Sequence, residues 1–160
     1  MDKFLHNLDL GAEGLWFPVT ISIILVLLVL LLPKKNISWR EIYITFGIVG
    51  LATWISDATI ARALDLIDLG DPNKGGIGDI LSYTFIPTSL AILFLNYYTK
   101  ENKWKLSILF SVISFLIEVG MVYFGYMKYT GWSMVISFVV FISAFAFLLP
   151  LHLKIIKNEE

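Results

Sequence analysis

From Leu15 to Leu32 the chain runs eighteen residues without a charged side chain, and from Gly131 to His152 it does so for twenty-two. No other feature limits the fold so strongly. An apolar block of about 18 residues or more reads as a membrane-spanning helix, because only a helix satisfies its own backbone polar groups in lipid. Three further blocks, 39–64, 79–98 and 104–127, hold few ionisable residues. Overall 58% of the 160 residues are hydrophobic and 16% charged, against roughly 45–50% and about 25% in soluble domains. The expected fold is all-α: a polytopic membrane protein with five transmembrane helices at about 15–32, 39–64, 79–98, 104–127 and 131–152. Residues 1–14 form an external segment and 154–160 a cytoplasmic tail.

Local signals place the boundaries. The start is acidic (Asp2, Asp9, Glu13), the first apolar core is long and no A-x-A site follows it. The first block is therefore read as a retained helix and not as a signal peptide. Pro18 sits in its first turn, where a missing N–H is harmless. Ser38-Trp39-Arg40-Glu41 is a capping-box pattern that opens the second helix. Gly70, Asp71-Pro72, Asn73 and Gly75-Gly76 break the chain, and Asp79 is placed to cap the third helix. Pro87 should kink that helix and free the carbonyl of Tyr83.

Orientation follows from the basic residues. The 33–40 and 99–105 loops and the C-terminus hold eight lysines and arginines; the other side has four, Lys3, Arg62, Lys74 and Lys128. The positive-inside rule puts the C-terminus in the cytoplasm and the N-terminus outside. The localisation expected is a cell membrane, with the lipid bilayer as first partner and a homodimer or another membrane protein as second. A net charge of -1 gives no field for nucleic acid. There are no cysteines and only His6 and His152, so disulfides, thiolate metal sites and cysteine nucleophiles are excluded. No cofactor is expected, and the identity of any metal is left open.

Ionisable groups at membrane depth need a reason. Glu118 lies fourteen residues after Trp104, about 21 Å along the axis at about 1.5 Å per residue. Ser107, Ser111, Ser114 and Gly125 share its face, a pattern that also suits close helix packing. Asp57, eighteen residues past Trp39, sits near the outer edge of the hydrocarbon core. Arg62 can pair with Asp65 three residues on, or snorkel along its own helix. Asp79, Tyr83 and Pro87 line one face of the third helix. Tyr123, Tyr126, Tyr129 and Trp132 fit an interfacial aromatic belt. Asp57, Asp79 and Glu118 thus lie at similar depth. Converging, they would form an outward-facing acidic pocket with Arg62, Tyr83 and Trp132 beside it, and Pro87, Ser111 and Ser114 in structural roles. The aspartates from Asp65 to Asp71 do not alternate as in an EF-hand loop.

Several short motifs carry a resemblance. Trp39, the pair Ser56-Asp57 and Asp79 eight residues before Pro87 form its first half. Lys103-Trp104-Lys105, Glu118 and Tyr129-Thr130-Gly131-Trp132 form its second. Over about residues 38–153 the chain resembles a family of small, uncharacterised multi-span membrane proteins of spore-forming Gram-positive bacteria. The resemblance implies a similar size and span number, with Asp57, Asp79, Pro87, Glu118 and Trp132 at recurrent positions. It implies no activity.

H-E-x-x-H, G-x-S-x-G and P-loop motifs are absent from the sequence, so catalytic residues are not assigned and an enzyme is not expected; lipid modification is the least favoured reading. The first expectation is a protein binding a cation, a proton or a basic solute in the acidic pocket, as carrier, channel part or sensor. The alternative is a non-catalytic scaffold or accessory subunit of a larger complex. Single cysteines replacing Asn73 and Asn102 should label from opposite sides of the membrane. Labelling of both from one side would refute five spans.

Overall fold

The computed structural model describes residues 8–71, 74 and 76–157. Residues 1–7, half of the expected external segment, lie outside the described residues, as do Pro72, Asn73, Gly75 and the last three positions. Five helices make up the body: α1 (Trp16–Leu31), α2 (Trp39–Ala63), α3 (Ile77–Tyr97), α4 (Lys103–Tyr123) and α5 (Met134–Lys157). Helices α2 to α5 are long and apolar enough to cross a membrane. Helix α1 is equally apolar but has sixteen residues, about 24 Å at about 1.5 Å per residue.

Helix α3 is the axis of the bundle and touches the other four. Ile86 and every residue from Thr88 to Asn96 are buried, with Phe94 and Leu95 fully enclosed. A helix apolar on all sides must be covered on all sides. The surrounding helices turn the opposite way: Leu27 and Leu31 of α1, Leu51 and Ile55 of α2, Leu109 and Leu116 of α4, and Val139 and Leu148 of α5 are exposed. A water-soluble surface rarely carries so continuous an apolar coat, which lipid accepts freely. The chain is a helical membrane protein.

The capping box at the start of α2 forms as expected. Ser38 Oγ accepts from the Glu41 N–H at 3.4 Å, and the Glu41 carboxylate accepts from the Ser38 N–H at 2.5 Å. At the same end of the bundle the buried Asn96 holds the 33–36 loop, accepting from the Lys35 N–H at 2.8 Å and donating to the Pro33 carbonyl at 2.9 Å. Helix α5 outruns its expected end and takes in residues 154–157 of the expected tail.

The opposite end differs more from expectation. Helix α4 stops at Tyr123, and Gly125 turns out of it with φ +81°. A Cβ there would lie 2.8 Å from the Glu13 carboxyl carbon, so this turn needs glycine. Gly125 therefore leaves the serine face of α4, where it was expected. The chain continues into β2 (Met127–Tyr129), which pairs antiparallel with β1 (Ile67–Leu69), Ile67 opposite Tyr129 and Leu69 opposite Met127. Strands of three residues are too short to carry a period-2 signal, and this ribbon was not expected. It joins the segment after α2 to the one after α4.

Helices α3 and α5 each contain a widened, π-type turn, at Leu81–Phe85 and Ala144–Leu148. A proline, Pro87 or Pro150, follows each two residues later. The N–H just before each proline bonds five residues back, from Ile86 to Leu81 and from Leu149 to Ala144. The missing proline N–H is thus accommodated by a register shift. The freed Tyr83 carbonyl accepts a hydrogen bond from the Thr53 hydroxyl of α2, and the Trp54 indole N–H donates to Thr84 Oγ1 at 2.8 Å. Thr53→Val should lower stability in detergent by about 1–3 kcal/mol, the range for a buried carbonyl left unpaired. In a Pro87→Ala background, whose alanine supplies an N–H, the loss should be smaller. Strict additivity in thermal unfolding would refute this pairing.

Candidate functional site

The N-terminal ends of α1, α3 and α5, the C-terminal ends of α2 and α4 and the ribbon meet at one end of the bundle. A cavity of about 280 Å³ lies there, between the end of α2, strand β1 and the start of α3. Asp57, Arg62, Asp65, Asp68, Lys74, Asp79 and Tyr83 supply its polar wall.

Asp57 and Asp79 are buried, with side chains 4% and 9% exposed, whereas Arg62 is 58% exposed. The guanidinium bridges them: Nε lies 3.3 Å from Asp57 Oδ2 and Nη2 lies 3.9 Å from Asp79 Oδ2. Local geometry makes this possible. Five residues separate Asp57 from Arg62, so on a regular α-helix they would point about 140° apart. The π-type turn Asp57–Ala63 stacks residues five apart and brings the two together. Arg62 was expected to reach Asp65 three residues on. Asp65 instead takes φ +53° beyond the helix end, and no ion pair joins them among the described residues.

Asp79 is not the cap of α3. Gly76 holds that position, and Asp79 lies in the first turn. Its Oδ1 accepts from the Tyr126 hydroxyl at 3.2 Å. Tyr126 is 2% exposed; burial first, and the Asp79 charge second, push its phenol well above the ordinary range, so it stays a neutral donor. Gly78 makes room for it, since a Cβ there would lie 2.0 Å from the Tyr126 hydroxyl oxygen. Lys74 is held away from the two buried aspartates. Its ammonium lies 3.0 Å from Asp9 Oδ1 and 3.1 Å from Asp71 Oδ2, and the hydrogen bond to Asp9, then that to Asp71, raise its pKa. The Asp71 N–H donates to the other Asp9 oxygen at 2.9 Å, so the N-terminal segment anchors the loop beside the cavity.

Glu118 and Trp132 do not line this cavity. Glu118 is 4% exposed and faces α5. Its Oε1 accepts from the Ser137 hydroxyl at 2.5 Å and from the Tyr129 hydroxyl, while the Trp132 indole N–H donates to Ser137 Oγ at 2.8 Å. Burial, and then Glu118, push the Tyr129 phenol up and keep it protonated. The three acids expected in one pocket therefore occupy two places. Asp57 and Asp79 meet between α2 and α3, and Glu118 sits in a hydroxyl-lined cluster between α4 and α5. Ser111 and Ser114 are buried on the Glu118 face, and Ser111 Oγ has no hydrogen-bond partner among the described residues. Their contribution is close packing.

Sequence reasoning missed Asp9, Lys74, Tyr126, Tyr129 and Ser137 as parts of these networks. The tyrosines carry the same signal as belt aromatics, and only Tyr123, 81% exposed, behaves as one. No three acidic or histidine side chains come close enough to hold a metal ion among the described residues. The two buried carboxylates are each met by one nitrogen of the same guanidinium, a charge-assisted contact.

Fold and site together define a class: a helical membrane protein with a mixed-charge pocket at one end of its bundle. Compared with known proteins, the chain matches no family model, no curated protein and no solved structure, so any finer reading rests on its own geometry. Tyr129→Phe should lower stability by about 1.5–3 kcal/mol, the range for hydrogen bonds to charged groups. The same change in a Glu118→Gln background should cost clearly less. Equal losses in both backgrounds, measured by thermal unfolding, would show that the Tyr129–Glu118 bond does not hold the ribbon.

Proposed function

We propose that this protein is a multi-pass protein of a bacterial cell membrane that binds a small basic solute in the pocket of Asp57, Arg62, Asp79 and Tyr83, as a carrier, channel part or sensor. The observation that carries this reading is the pair of buried carboxylates in an open cavity, bridged by the guanidinium of a half-exposed arginine. Four aspartates line the cavity against Arg62 and Lys74, so the wall keeps an excess of negative charge and favours a cationic guest. The Tyr83 ring adds an aromatic wall that can face a cation. Eight of the twelve lysines and arginines belong to the other end of the chain's loops, which supports five spans with the pocket facing outward.

A second reading draws on the Glu118 cluster. It ties α4, α5 and the ribbon together and opens on no described cavity, as the core of a scaffold or accessory subunit would. The two readings separate experimentally. Agmatine, which carries an amine and a guanidinium, should raise the melting temperature of the purified chain in detergent. Asp57→Asn and Asp79→Asn should abolish the rise, and Glu118→Gln should lower stability yet leave the rise in place. An unchanged rise in Asp57→Asn, or none in the wild type and its variants, would overturn the pocket reading.

A further inference from the structure

Resting on that pocket, we propose that Arg62 is a built-in competitor. Its guanidinium occupies the Asp57–Asp79 pair when the site is empty of solute, and a solute bearing a guanidinium or primary amine must displace it. The chain's own side chain thus identifies the chemical class the pocket takes.

The bridge is made in a displaceable way. Each carboxylate is met by one guanidinium nitrogen on one oxygen, at 3.3 and 3.9 Å, and neither receives the parallel pair of bonds that an arginine fork can make. The carboxylates are buried while the Arg62 side chain as a whole is 58% exposed and lines the open cavity, so the route by which the cation leaves is the mouth. Arg62 stands one residue before the end of the π-type turn at Ala63, where the backbone passes into a loop. Asp65 and Asp68 lie on the same wall and have no ion pair among the described residues, although Lys128 is the cross-strand neighbour of Asp68. They offer the displaced guanidinium a place to rest. Lys74, held by Asp9 and Asp71, does not replace it.

Displacement also sets the charge of the guest. When Arg62 leaves, two buried carboxylates lose their cation, a state that is strongly unfavourable unless the guest brings a cation of its own. The exchange is therefore cation for cation. The cavity, about 280 Å³, lies at the small end of ligand pockets, which run from about 300 to 1,000 Å³, and this suits a small amine or guanidine.

Calorimetric titration of the full chain in detergent with agmatine tests this, with choline, which lacks N–H donors, as control. If Arg62 fills the pair about nine-tenths of the time, Arg62→Gln should bind agmatine about tenfold more tightly than wild type, because the apparent Kd scales with the competent fraction. Arg62→Lys, which keeps the charge but not the fork, should fall between them, and it serves if the glutamine variant does not fold. Choline should bind none of them appreciably. Agmatine binding that Asp57→Asn removes but that both arginine variants leave equal or weaker would overturn the competition alone. Absence of agmatine binding throughout would overturn the pocket as well.

Discussion

The enclosure of α3 is the constraint on which the rest of the structure depends. A helix whose consecutive residues Leu90, Ala91, Ile92 and Leu93 are all buried, each about 100° round the axis from the last, has no face that tolerates water and none free to meet lipid. It is covered by the other four helices, and their remaining surfaces become the apolar coat of the molecule. The polar residues of α3 are satisfied within that packing. Asn96 binds the 33–36 loop at one end and Asp79 binds Tyr126 and Arg62 at the other.

Inside such a bundle the backbone must satisfy itself, and the widened turns show how side-chain placement follows from that. Pro87 removes a donor from α3, and the register shift from Leu81 to Phe85 redistributes the bonds. The Tyr83 carbonyl then reaches across to Thr53, which locks α2 against α3. The turn that ends α2 has no proline within it, yet it stacks Arg62 on Asp57. The pocket exists because both helices depart from regular geometry where they meet. Such departures cost stability and cluster where side chains are being aimed.

The ribbon gives that end of the molecule its coherence. Tyr126, just before β2, reaches Asp79, and Tyr129 within β2 reaches Glu118. One short strand pair therefore touches both polar clusters while its other strand, β1, lines the cavity. Neither phenol ionises under ordinary conditions, since burial and a neighbouring carboxylate act in the same direction on each. Both act as fixed hydrogen-bond donors.

Much of this was legible in the amino-acid order, and the remainder was not, for a physical reason. Apolar runs and charge spacing determined the helices, the Ser38–Glu41 cap, the freed carbonyl beside Pro87 and the placing of Asp57, Asp79 and Glu118 toward the same end of the bundle. All of these depend on neighbours within about one turn or on rise along an axis. Rotation about that axis is another matter. Which helix a face meets is set by packing, so the tertiary structure alone decided that Glu118 turns to Ser137 and Tyr129 while Asp57 and Asp79 share Arg62. The pairing of Arg62 with Asp57 instead of Asp65 needed a π-type turn that residue spacing does not announce. The β1–β2 ribbon joins residues about sixty positions apart through strands too short to leave a pattern. Sequence determined which segments form apolar helices and toward which end the acids lie; the packed bundle decided which buried groups face one another.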